Sequence, residues 1–133
     1  MITNADITIY NKKYSPETRS DTWQGTFLQG VHFYHENKVQ PSSSGLENAD
    51  LYKIRIPQDV VAGKEYVPQA EYQATEDVSG LWTVQKGDYI VRGAGPDIAR
   101  IQELQKSGME TCKVISWSDN RRGTLPHLRI EGV

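Results

Sequence analysis

The chain carries one cysteine in 133 residues, Cys112, so it can form no internal disulfide and build no cysteine-rich zinc site. That cysteine sits in the apolar run TCKVISW, where a buried, inert thiol in a reducing compartment is expected. Long hydrophobic runs are also missing. No stretch approaches the roughly 18 apolar residues of a membrane span, and the opening MITNADITIY lacks a basic region followed by an apolar run, so neither a signal peptide nor an anchor is expected. An excess of one charge is missing as well: 15 basic and 17 acidic residues leave a net charge of −2. A chain of that balance lacks the global positive field that supports non-specific binding to nucleic acid or anionic membranes, so any DNA contact must be local. What remains, 37% hydrophobic and 24% charged, describes one ordinary soluble domain over residues 1–133, of a size that buries its own core.

What is present is a recurring period of two. In DITIYN, Ile7 and Ile9 point one way and Thr8 and Tyr10 the other, as in a half-buried strand. After the turn-forming YSPETRSD comes a β-rich run with Trp23, Gly25, Phe27, Val31 and Phe33, in which Gly30 predicts a bend or bulge. Beyond a loop at KVQPSSSG, the segment ADLYKIRIP alternates most clearly, Tyr52, Ile54 and Ile56 opposing Lys53 and Arg55. Residues 58–84 read as an irregular excursion in which one short strand or turn of helix is expected. KGDYIVRG then predicts a strand bounded by glycines. PDIARIQELQKSG predicts one helix over Asp97–Lys106, with Pro96 at its first turn, Ile98, Ile101 and Leu104 on a stripe, and Gly108 as its stop. TCKVISW and LPHLRIEG predict two strands joined by SDNRRGT, a closing hairpin. The expected fold is mainly β: a small antiparallel barrel or sandwich with one short α-helix and long loops, and a core drawn from Ile7, Ile9, Phe27, Ile54, Ile56, Ile90, Val114 and Ile130.

Three stretches imitate known chemistry. VHFYHE holds His32, His35 and Glu36, but on a strand the two histidines face opposite sides and cannot chelate one ion. DYIVRGAGPDIA carries Gly93 and Gly95 before the expected helix, with Asp119 further on, yet the third glycine of a dinucleotide fingerprint is replaced near Ile98 and Ala99, and the flanking chain has no repeated strand–helix–strand units. His127 and Asp119 form no catalytic pair without a nucleophile and an oxyanion site, and nothing marks either. No catalytic, cofactor-binding or metal-ligating residue is therefore assigned, and no enzyme is expected. The closing SDNRRGT keeps two readings: a solvated turn, or a rigid tip whose Asp119, Asn120, Arg121 and Arg122 meet another subunit or DNA, the guanidinium fork being suited to carboxylate or phosphate.

The stretches ITIYNKKY, DTWQGTFLQGVHFY, DLYKIRIP, GLWTVQKGDYIVRG and ISWSDNRRGTLPHLRIEGV, in this order, resemble a family encoded in the structural-gene regions of phages and prophages of Gram-positive bacteria. Within that neighbourhood the layout is similar to the stopper, or head-completion, proteins of long-tailed phages. The shared features are an N-terminal strand with a turn-rich loop, a Trp-containing segment running into a long strand, a late GDYIVRG strand and a closing hairpin. The resemblance implies a β-barrel subunit of a homo-oligomeric ring in the virion, made in the host cytoplasm. Such a ring joins the portal and adaptor to the tail, helps retain packaged DNA, and involves no membrane and no cofactor. Val39–Gly45 and Lys12–Asp21 would then be docking arms. Residues 58–79 and the helix around Ile98–Leu104 exceed a minimal barrel of this kind, so another connector ring, a tail terminator or a minor capsid protein stays open. A reading from a different class makes Tyr52, Trp82, Tyr89 and Trp117 a stacking platform for single-stranded nucleic acid.

Overall fold

The computed structural model describes residues 3–17, 19–42, 45–120 and 126–133, with side chains throughout these except at 37–50 and 105. Among the described residues, eight strands and two short helices follow one another as β1 (Ala5–Ser15), β2 (Ser20–Ser42), β3 (Gly45–Pro57), β4 (Glu65–Tyr66), α1 (Gln69–Ala74), β5 (Leu81–Trp82), β6 (Tyr89–Arg92), α2 (Gln102–Lys106), β7 (Thr111–Asp119) and β8 (His127–Gly132). Six of the strands close into an antiparallel barrel in the order β1-β2-β3-β8-β7-β6. β4 and β5 form a two-residue parallel pair beside it.

Gly30 organises the longest strand. Its φ of 86° is open to glycine and costly for a residue with a Cβ. At this point the β1–β2 register slips, Ala5 facing Val31 while Asp6 faces Gln29, which is a bulge of one residue. Asp6 Oδ1 accepts the freed Gly30 N–H at 3.0 Å. Up to Val31 the strand pairs with β1, and from His32 it pairs with β3, so the bulge hands it from one neighbour to the next.

The same bulge corrects one core assignment. An inserted residue flips every following side chain to the other face. Before Gly30 the even positions Thr26 and Leu28 are buried, and after it the odd positions Val31 and Phe33 are. Phe27, expected in the core by carrying the odd positions throughout, stands on the outer face and is 37% exposed. Ile7, Ile9, Ile54, Ile56, Ile90, Val114 and Ile130 are buried as expected, around one cluster that includes Trp82, Val84 and Cys112.

β1 is buried on both faces. Tyr10 and Val91 pack outside the barrel wall against Ile98 and Leu104, forming a second small core. The expected ten-residue helix is shortened for the same reason. Tyr10 Oη donates to the Pro96 carbonyl at 2.6 Å and Gly95 N–H donates to Thr8 Oγ1 at 2.9 Å, which hold residues 95–96 against the barrel and delay the helix to Gln102. A Cβ on Gly95 would overlap the Tyr10 hydroxyl, so glycine there serves close packing rather than phosphate binding. The excursion contains a second helix, α1, whose Tyr72 is fully buried with Val67 and Val78.

The segments expected as loops are hairpin ends. β1 and β2 stay paired as far as Ser15 and Ser20, and β2 and β3 as far as Ser42 and Gly45. β3 pairs with β8 only over Tyr52–Pro57. Residues 36–42 and 45–51 therefore pair with each other alone among the described residues, a two-stranded arm that continues beyond the strand pairing of the closed barrel. At ~3.3 Å per residue it reaches roughly 20 Å.

Candidate functional site

Along β1 the face that carries Ile7 and Ile9 continues as Asn11, Lys13 and Ser15. Along β2 the face that carries Leu28 and Thr26 continues backwards as Gln24 and Thr22. Both core faces thus turn polar toward the β1–β2 hairpin end, and there an open groove of about 640 Å³ lies between that hairpin and residues 73–79. Lys13, Thr22, Gln24, Glu17, Glu76 and Asp77 are among its lining side chains.

The floor beside the groove is a buried polar network centred on Asp88, which is fully shielded from solvent. Its carboxylate accepts from Lys12 N–H at 3.0 Å, from Asn11 Nδ2 at 2.8 Å and from Gln85 Nε2 at 3.2 Å. Asn11 also brackets Thr83, donating to its carbonyl at 2.6 Å and accepting its N–H at 3.1 Å. Gln73 of α1 donates to the Lys12 carbonyl at 3.0 Å and to Gln85 Oε1. Burial pushes the Asp88 carboxyl up to about 6 in spite of these donors. Lys13, the one cation among the groove's lining residues, donates to the α1 carbonyls of Tyr72 and Gln73 at 3.3 and 3.0 Å. Asp77 is turned toward the Ser79 N–H at 3.1 Å, which holds its carboxyl below the usual range.

Asp119 and Asn120 end β7 on the surface. Asp119 faces Leu128 in the ladder, and Asn120 N–H donates to the His127 carbonyl at 2.9 Å. The far side of the tip is tied by Gln58 N–H, which donates to the Pro126 carbonyl at 3.1 Å. Arg121 and Arg122 lie outside the described residues.

The other candidates are dispersed. His35 stacks on Tyr52 with ring centroids 4.3 Å apart and meets Glu110 at 3.2 Å, while His32 occupies the opposite face of β2. Cys112 is buried, and burial pushes its thiol up to about 12, far from a nucleophilic thiolate at neutral pH. Of the aromatics considered as a stacking platform, Tyr52 and Trp82 are core residues, and Trp117 packs against that core from a half-buried position. Tyr89 meets Trp23 edge-on at 5.6 Å on another part of the barrel.

Sequence reading did not find the groove or the Asp88 network. Its one signal was the change from isoleucine to Asn11 and Lys13 at constant period, which a search for apolar alternation passes over. No curated protein and no solved structure matches the chain. A family model matches residues 2–133. The chain thus belongs to a family of unknown function, DUF6751.

Proposed function

We propose that the chain is a structural subunit of a phage virion, a stopper or head-completion protein of the head–tail connector. In this reading it forms a homo-oligomeric ring that joins the portal and adaptor to the tail and helps retain packaged DNA. The observation that carries the reading is the β2–β3 arm. A closed barrel has no free strand edges, yet here two of its strands run on together for seven residue pairs, from Glu36–Leu51 to Ser42–Gly45, with no third strand among the described residues. A two-stranded ribbon is marginal in water by itself, and its open edges suit strand addition to a neighbour. The polar groove and the surface tip at Asp119 and Asn120 add contact surface of the kind an assembly subunit uses. The tail-terminator and minor-capsid readings use the same arm, and position in the particle separates them.

The test is a phage that encodes this chain, with the gene removed. Filled heads and complete tails that fail to join, restored by the gene in trans, are expected. Infectious particles in normal numbers would refute the connector role, and loss of intact tails alone would assign the chain to the tail.

A further inference from the structure

We propose that the groove between the β1–β2 hairpin and residues 73–79 receives the Arg121–Arg122 tip of a neighbouring copy of this chain. The inference rests on the assembly reading and names the contact through which the ring closes.

The groove is open to solvent and has a volume of about 640 Å³, within the size range of ligand clefts. Its only cation, Lys13, is already committed to two carbonyls of α1. What it offers an incoming group is the exposed carboxylates of Glu17, Glu76 and Asp77, with acceptor oxygens of Gln24 and Thr22 beside them. Neither Glu17 nor Glu76 is held in an ion pair among the described residues. Such a groove selects a cationic segment, and a guanidinium meets carboxylates through paired hydrogen bonds. The chain itself holds one adjacent pair of arginines, Arg121 and Arg122, in the connection between β7 and β8. Both ends of that connection are fixed, by the Asn120–His127 and Gln58–Pro126 hydrogen bonds.

A second copy fits better than an unrelated basic peptide because the two complementary patches lie on one chain at different places. Patches of that kind allow a head-to-tail contact, which closes into a ring when the rotation between copies closes.

Charge reversal on each side tests the contact. One variant carries Arg121→Glu and Arg122→Glu, and a second carries Glu17→Lys and Glu76→Lys. Asp77 is left in place because it caps Ser79. Glu17 and Glu76 are exposed, and circular dichroism checks that both variants fold. Self-association is read by sedimentation velocity. Each variant alone places like charges in contact and is expected to associate at least about tenfold more weakly than wild type. An equal mixture restores both contacts, wild-type tip on wild-type groove and reversed tip on reversed groove, and is expected to associate as wild type does. Variants that associate normally alone, or a mixture that stays dissociated, overturn this contact while leaving the assembly reading in place; the first pattern is also the one given by a tip that fills its own groove or by a foreign basic peptide as occupant. A wild-type chain that stays monomeric at millimolar concentration removes self-assembly through this contact altogether.

Discussion

Asn11 Nδ2 donates to Asp88 Oδ2 across 2.8 Å, tying β1 to a residue 77 positions further along the chain. The same amide holds both peptide groups of Thr83, so one side chain fastens the end of the excursion to the barrel. Asn11→Ala strips these bonds from groups that stay buried. A loss of roughly 2–4 kcal/mol in urea denaturation is expected from unpaired buried donors and acceptors. A loss well under 1 kcal/mol would mean that the excursion is held by its apolar contacts instead.

The network has a pH signature of known sign. Burial raises the folded Asp88 carboxyl to about 6, above its ordinary value of 3.8. The folded state therefore binds the proton more tightly, and this group's contribution to stability is largest below about pH 4 and declines as pH rises to about 6. Two pKa units correspond to something on the order of 3 kcal/mol. Asp77 works in the opposite sense, its lowered carboxyl favouring the fold above the ordinary carboxylate range. Denaturation of wild type and Asp88→Asn across pH 4 to 7 isolates the first effect: the gap between the two curves should change over that window and be constant above it. Parallel curves throughout would show that Asp88 titrates normally.

Gly95 is required by contact with Tyr10. A methyl group there would overlap the Tyr10 hydroxyl and crowd Val91 Cγ2 at 2.8 Å. Gly95→Ala should destabilise by roughly 1–3 kcal/mol. The combination with Tyr10→Phe should cost less than the sum of the single changes, because removing the hydroxyl relieves the overlap. Strict additivity would place the strain elsewhere.

Ile54 and Phe27 mark the two sides of the wall. Ile54→Ala should cost about 2–5 kcal/mol, as for a fully buried residue. Phe27→Ala should cost clearly less, since the ring is 37% exposed. The reverse order in thermal or urea denaturation would mean that the face of β2 before Gly30 has been assigned wrongly.

The barrel was legible where alternation is uninterrupted. Tyr52, Ile54 and Ile56 against Lys53 and Arg55 read correctly, as did the glycine-bounded β6 and the closing β7–β8 hairpin. Gly30 is legible as a bulge, but its consequence for Phe27 is not, because the sequence marks a bulge without saying on which side the count restarts. The helix expected over Asp97–Lys106 ends where expected but starts only at Gln102 for a tertiary reason: the Tyr10 and Thr8 contacts to Pro96 and Gly95 outweigh the local helical pattern of its first turn. The loop expected at Val39–Gly45 failed because proline and serine at 41–44 signal a turn, while pairing brings the strands to within two residues of it. Polar residues at the groove carried no pattern of their own, since Asn11 and Asp88 meet only when the barrel closes.

The role proposed for the chain rests on the β2–β3 arm, and shortening that arm tests it directly. Replacing residues 38–49 with an Asn-Gly turn leaves the β3–β8 pairing over Tyr52–Pro57 untouched, so the purified variant should unfold within a few degrees of wild type. In a phage lacking the native gene it should yield filled heads that remain unjoined to tails. Normal numbers of joined, infectious particles from the shortened chain would contradict the role in assembly proposed for the arm.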